Sequence, residues 1–416
     1  MALENIKLDI DYVRSQFPAF KDPLSKKWSF FENAGGSYVP INVIDKLTEF
    51  MTSTKVQPYA DYEMSKIAGE NMDKAMELFS RMINAKNNEI LIGGSTSINL
   101  YVLSNALKKY IKLGDEVIVT NQDHEANISP WIRLKENGAK IIEWKFNLEN
   151  QELEISELEK LISPKTKILA VTHCSNIVGS INNLKEITKI AHNHNIIVIG
   201  DGVSYAPHGF PDVKELDVDF YTFSLYKTYG PHLALLYGKE EILKELPNQN
   251  HEFLTGKYPY TINPGGPNHE ELVSLIGIYE YFENIYKHHF NDNVQVMKEK
   301  IKKLNNLFSK HEEYITNPLL NYLNNRDDIK LIGKNKITNR NRAPTISFTH
   351  KKLSSKEISR ILVEQKIATR NDNFYAWRCL KALGIDTEDG VIRLSLTHYN
   401  NENDVSKVIK ALRKIN

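Results

Sequence analysis

The run IIVIGDGVSYAPHGFPDVKELDVDFYTFSLYKTYGP, residues 196–231, decides how the rest of the chain is read. Its opening residues, 196–199, are all apolar and β-branched, the pattern of a strand buried on both faces, and such a strand delivers Asp201 to its carboxyl end. Residues 219–224 read as a second strand that stops just short of Lys227. Both side chains therefore fall at strand C-termini, the edge at which open α/β sheets hold their ligands. An amine and a carboxylate so placed suit pyridoxal phosphate: the amine can condense with its aldehyde and the carboxylate can pair with its pyridinium nitrogen. Taken singly, Lys227 reads as one of many solvent-facing lysines and Asp201-Gly202 as turn chemistry. The pair in its setting is what gives either residue meaning.

Outward from this run, strand patterns at 89–92, 116–120, 140–146, 166–173 and 233–237 alternate with helical patterns at about 127–136, 155–162 and 184–194, after two amphipathic helices at about 41–52 and 67–83. That rhythm predicts an α/β fold with a mostly parallel sheet covered on both faces. A helix over about 270–285 follows the turn at 262–268. A long charged helix, about 294–314, then leads into a smaller C-terminal unit with strands at 330–333, 345–349, 367–370 and 391–397 and helices at 355–365, 375–383 and 404–413. The expected division is an N-terminal segment, 1–30, packed on the small domain, a large cofactor-binding domain, 31–290, and a small α+β domain, 291–416.

The chain has 416 residues, 25% of them charged and 41% hydrophobic, with a formal net charge of +1. This is ordinary globular composition, and it offers no electrostatic case for nucleic acid or an anionic membrane. The two cysteines, Cys174 and Cys379, are too few and too far apart for a disulfide framework or a cysteine-rich metal site, so no metal is expected and a reducing, cytoplasmic setting is. No apolar run approaches the ~20 residues that span a bilayer.

The segments Ser224-Leu225-Tyr226-Lys227 and Asp201-Gly202-Val203-Ser204 resemble the Ser-Gly-His-Lys and Asp-Gly-Ala-Gln motifs of the class V aminotransferase family, which includes the cysteine desulfurases. The resemblance extends along the chain. Gly93-Gly94-Ser95-Thr96 is similar to the family's phosphate loop Gly-Thr-Thr-Glu, with Thr96 in place of the acid; read alone, Ser95 is an ordinary helix cap. Asp123-His124-Glu125-Ala126-Asn127 resembles Glu-His-His-Ala-Asn, in which the first histidine stacks on the pyridine ring; read alone, His124 is a polar loop residue. His173-Cys174-Ser175-Asn176 resembles His-Val-Ser-Asn, placing Asn176 near the cofactor's phenolic oxygen, with Cys174 at an apolar position. Glu32-Asn33-Ala34-Gly35 resembles the segment beside the substrate carboxylate. Arg393, in Val391-Ile392-Arg393-Leu394-Ser395, matches the arginine that grips that carboxylate, with Arg370 as a second candidate.

What the resemblance implies is a fold type I pyridoxal-phosphate enzyme, with a seven-stranded, mostly parallel sheet in its large domain. Lys227 would carry the cofactor and Asp201 would hold its ring nitrogen, with His124, Asn176 and Ser204 around the ring. Gly94, Ser95, Thr96, Ser224 and Tyr226 would surround the phosphate. A homodimer is implied, in which the loop around Gly265 and Gly266 reaches the partner's phosphate; Gly266 stands where the family has threonine, leaving only a backbone contact. Ala34, Gly35, Asn176, Arg370 and Arg393 would meet a small amino-acid substrate. The desulfurase nucleophile lies in Arg-x-Gly-His-His-Cys-Ala; here Arg370-Asn371-Asp372-Asn373-Phe374-Tyr375-Ala376 puts Tyr375 in its place. A β-eliminating lyase is therefore favoured. Transamination, epimerisation, a true cysteine or selenocysteine desulfurase using Cys379, and a non-catalytic binding protein on the same fold stay open. A dinucleotide dehydrogenase has no Gly-x-Gly-x-x-Gly to support it.

Overall fold

A computed structural model describes residues 6–415. Its centre is a seven-stranded sheet in the order Ile90–Gly93, Ala234–Gly238, Phe220–Ser224, Ile197–Asp201, Thr166–Thr172, Glu116–Thr120 and Lys140–Trp144. All neighbouring pairs from Phe220–Ser224 to Lys140–Trp144 are parallel, and Ala234–Gly238 runs antiparallel to both of its neighbours. The expected mostly parallel sheet of seven strands is thus present.

Side chains of a strand alternate between faces, so a strand covered on both sides must be apolar at every position. Val117, Val119, Ile168, Ala170 and Ile199 belong to one buried layer, with Leu100, Leu103 and Trp131 of the flanking helices. Their neighbours Ile118, Leu169, Val171 and Val198 belong to the opposite layer, with Phe79, Ile278 and Phe282 from the helices Glu63–Met82 and His269–His289. This two-sided burial is why the sequence writes β-branched runs here rather than an alternating pattern. It also fixes where polar chemistry can occur, at the strand ends.

The smaller sheet is antiparallel, in the order Arg370–Asp372, Val391–Ser395, Thr345–His350 and Ile329–Ile332, with the helices Ser355–Glu364 and Glu402–Leu412 packed on it. The N-terminal segment touches both sheets' units. Ser29–Phe30 pairs in parallel with Ile367–Ala368, and the ring of Tyr12 stacks on His288 of the large unit's last helix at 3.6 Å.

Several elements depart from their sequence patterns. The strand expected over 367–370 is divided into Ile367–Ala368, beside Ser29–Phe30, and Arg370–Asp372, at the edge of the smaller sheet. The charged helix expected to end near residue 314 runs from Met297 to Asn324, straight through Pro318. Proline removes one helical hydrogen bond, but Ile315, Leu319, Leu320 and Leu323 keep the apolar stripe buried beyond it. The helix expected from 375 begins at Trp377, because Phe374 and Tyr375 hold φ of 51° and 57°. Left-handed residues cannot open a right-handed helix. Residues 125–137 form three short pieces, 3-10 at each end and α in Ser129–Ile132, in place of one helix.

Candidate active site

A cavity of about 520 Å³ opens at the carboxyl edge of the large sheet. Its floor comes from strand ends: Asp201 closes Ile197–Asp201, Thr172 closes Thr166–Thr172, and Lys227 sits on the 3-10 turn Leu225–Lys227 directly after Phe220–Ser224. Asp201 and Lys227 are both buried. Burial pushes the Asp201 carboxyl up to about 6, against the hydrogen bond from the Val203 N–H and the pull of the Lys227 charge. Burial likewise brings the Lys227 amine down to about 8, reinforced by the Arg393 charge and opposed by Asp201. A buried amine near neutrality serves as nucleophile and as base, which a solvent lysine does not.

One wall is His124. Its Nδ1 accepts the Ala126 N–H at 3.0 Å, so any ring proton at neutral pH sits on Nε2. Burial, with the Lys227 and Arg393 charges, holds its pKa down to about 3, leaving a neutral ring face. Beneath it, Asp123 is fully buried, accepting from Asn127 Nδ2 at 2.7 Å, from the Thr172 N–H at 3.1 Å and from the Thr120 hydroxyl. Burial raises that carboxyl to about 8.

At one end of the cavity stand Ser95, Thr96, Ser97, Ser224, Tyr226 and His232. The Ser95 hydroxyl caps the helix Thr96–Leu107 by accepting the Ile98 N–H at 3.2 Å, and Thr96 Oγ1 lies 2.8 Å from Ser224 Oγ. The first N–H groups of a helix lack intrahelical acceptors, and together with these hydroxyls they make a cup for an anion. A Cβ at Gly94 would meet only Ile98 Cδ1, at 3.8 Å, so the loop keeps open space before the cup.

The far side is the loop over the cavity mouth. Tyr375 is 65% exposed and stacks on His124 with ring centres 5.3 Å apart, and its carbonyl accepts the Glu125 N–H at 2.7 Å. Asn176 Nδ2 ties the loop down through the Phe374 carbonyl at 2.9 Å. Arg393 is buried with its guanidinium 3.6 Å over the Phe374 ring. Among the described residues, Arg393 Nε and Asn176 Oδ1 are buried polar atoms with no hydrogen-bond partner. Such atoms are costly unless something else meets them.

The structure thus brings Ser95, Thr96, His124, Asn176, Asp201, Ser204, Ser224, Tyr226, Lys227 and Tyr375 into one cavity lining. Gly94, Ala34, Gly35, Arg370 and Arg393 lie outside that lining: Gly94 directly precedes Ser95, the Ala34 N–H donates to Ser395 Oγ at 2.8 Å, and Arg370 pairs across the strands with Arg393. Arg370 is bonded to Asp372 at 2.7 Å. Gly266 does not line the cavity of its own chain; it and Gly265 hold φ of 66° and 82° in an open turn. Glu125 and His232 line the cavity without having been expected there. Glu125 is fixed by Arg378 Nε at 2.7 Å, and the His232 ring lies parallel to Tyr226 at 4.7 Å. Their positions beside His124 and just after Gly230-Pro231 were the available signals.

Residues 29–408 match the family model for aminotransferase class-V. The chain belongs to that family. It is 35% identical to the aminotransferase-like protein FGM3 of Gibberella zeae, over 99% of this chain and all of that one. It is 28% identical to a cysteine desulfurase of Escherichia coli, over 98% of each. The apo cysteine desulfurase of Thermococcus onnurineus NA1 superposes with a TM-score of 0.85 at 24% identity, covering 100% and 99% of the two chains, a likeness of fold. As a class-V member the chain is a pyridoxal-phosphate-dependent enzyme of the cysteine desulfurase-like kind. The cavity fits that cofactor by its own chemistry, with a buried amine, a buried acid below it, a neutral imidazole face and an anion cup at one end.

Proposed function

We propose that this enzyme acts on a small amino acid, favouring β-elimination of a carbon–sulfur type, and that it does so without a protein persulfide. The observation that carries this reading is the contrast between Tyr375 and Cys379. Tyr375 projects at the cavity mouth against His124, whereas Cys379 is fully buried on the helix Trp377–Ala382, where burial pushes its thiol up to about 12. A sulfur acceptor must be an accessible thiolate. A phenol can instead donate a proton to a departing group.

Bound pyridoxal phosphate supplies an electron sink for charge developing at the substrate α-carbon. In this reading Lys227 would hold the cofactor and then take the Cα proton, a role suited to an amine held near neutral pKa. Asp201 would pair with the ring nitrogen in its protonated form, and Arg393, with Arg370 beside it, would receive the substrate carboxylate. On a substrate with sulfur at Cβ, the departing sulfur would keep the electron pair of the Cβ–sulfur bond and Tyr375 would offer it a proton, so that with uptake of one water cysteine would give hydrogen sulfide, pyruvate and ammonia. The active form is a homodimer in which the Gly265–Gly266 turn reaches the partner's anion cup, and a cytoplasmic setting fits the two unpaired thiols.

The test is to offer the enzyme cysteine and a panel of other small amino acids. Pyruvate and ammonia formed without an added keto acid are expected, with no product from Lys227→Ala. A requirement for a keto acid would make it a transaminase, and inversion at Cα an epimerase. A competent persulfide on Cys379, lost with activity in Cys379→Ser, would restore the desulfurase.

A further inference from the structure

The turn that carries Lys227 is fastened from outside its own sheet, through a histidine that the reaction above leaves idle. Tyr229, just beyond Lys227, is buried and holds φ of 70°, a conformation a tyrosine keeps only where its surroundings impose it. Its N–H donates to Ser37 Oγ at 2.8 Å, its hydroxyl donates to the Pro207 carbonyl at 2.6 Å, and its hydroxyl oxygen lies 3.0 Å from His398 Nδ1. A hydroxyl has one proton, and here it goes to the Pro207 carbonyl. The histidine contact must therefore run the other way, with Nδ1–H donating to the Tyr229 oxygen.

The opposite ring nitrogen completes the assignment. His398 Nε2 lies 2.6 Å from the Tyr281 hydroxyl, which must donate into it. The ring is thereby a neutral Nδ1–H tautomer, consistent with burial holding its pKa well below the ordinary value. It is fully buried and lies flat against Phe308, 4.0 Å between centres and 10° between planes, so it cannot turn without unstacking. His398 also follows the strand Val391–Ser395, which carries Arg393. One segment of the small unit thus supplies both the guanidinium beside the cavity and the ring behind the lysine.

We propose that His398 is a positioning residue for Lys227: by donating to the Tyr229 oxygen it holds that residue in its left-handed conformation and so fixes the direction from which the amine reaches its target. The inference rests on the reading that Lys227 bonds the cofactor. It assigns no contact between His398 and cofactor or substrate.

The experiment uses the full-length protein freed of cofactor, as wild type, His398→Phe, His398→Gln and Tyr229→Phe. Two quantities are read. One is the rate at which Lys227 becomes fixed by borohydride after pyridoxal phosphate is added, with the site identified by peptide mass spectrometry. The other is affinity for pyridoxamine phosphate, which has no aldehyde and so reports the cavity without the lysine. Phenylalanine keeps the stack on Phe308 and loses both hydrogen bonds, whereas glutamine offers an N–H and an oxygen in their place. Expected is a drop of about tenfold or more in Lys227 fixation for His398→Phe, since misplacement by an ångström is enough for that. Pyridoxamine phosphate affinity should stay at the wild-type value, and His398→Gln should recover most of the rate. Tyr229→Phe removes the oxygen that His398 bonds and should slow fixation in the same way, which gives the result even where His398→Phe fails to fold. Fixation at the wild-type rate in folded His398→Phe or Tyr229→Phe, with only the melting temperature lowered, overturns the positioning role and leaves the cofactor reading standing. Absence of fixation at Lys227 in the wild type overturns both.

Discussion

Arg393 stands directly opposite Arg370 in the register of two antiparallel strands, and both guanidiniums lie near the Phe374 ring, at 3.6 and 5.3 Å. Like charges facing each other across a sheet repel, and burial already pulls the Arg393 pKa down to about 9. In the proposed role a substrate carboxylate would be received here, and Arg393 Nε, which has no hydrogen-bond partner among the described residues, would be a donor for it. Arg393→Lys keeps the charge and loses the planar fork and the stack. Substrate affinity should fall by ~1.5–3 kcal/mol, while titration with cofactor alone changes little. Equal substrate affinity in the two proteins would remove Arg393 from the role.

Among the elements, the end of the strand Thr166–Thr172 carries a second prediction. His173 there stacks on Tyr205 at 3.7 Å, and its Nδ1 lies 2.8 Å from the Tyr221 hydroxyl. Burial lowers its pKa to about 3, the Arg340 charge assisting. The unfolded chain therefore takes up this proton first as pH falls. The stability held by the neutral ring is complete above about pH 6.5 and is lost as pH falls towards 3. Urea titrations of wild type and His173→Gln should accordingly diverge below about pH 6, by ~1.4 kcal/mol per pH unit against the wild type. Parallel stability curves would mean that the folded ring is not held neutral. The same strand shows what the sequence makes legible. Two-sided burial writes β-branched runs, and the polar residue that ends each run, Asp201 or His173, marks the sheet edge by itself. The helix Met297–Asn324 is harder to read, because Pro318 looks like a stop until the packing of Leu319, Leu320 and Leu323 is known. Glu125, His232 and His398 are harder still, since each takes its meaning from a partner on a distant element: Arg378, Tyr226 and Tyr229.

At the scale of the whole molecule, the exposed apolar side chains of Ile41, Ile44, Met51, Tyr62, Met64 and Ile67, on and beside the helices Ile41–Ser53 and Glu63–Met82, together with Tyr260, fit the proposed dimer. Sedimentation equilibrium should return twice the chain mass at working concentration, and a fully active monomer would contradict the shared site. The two units are also bound through the N-terminal segment, whose Arg14 donates to the Tyr399 carbonyl at 3.0 Å while Phe17 packs among Tyr229, Tyr281 and Tyr399. Both cysteines are buried, Cys174 in the lining of the cavity at 1% exposure and Cys379 in the core at 0%, and burial pushes each thiol up to about 12. At neutral pH an alkylating reagent finds almost no thiolate at either position. The chain therefore carries two silent clocks. Capture of Cys379 times the release of the helix Trp377–Ala382, capture of Cys174 times the opening of the sheet edge, and their ratio in one quench experiment tells which half of the enzyme lets go first.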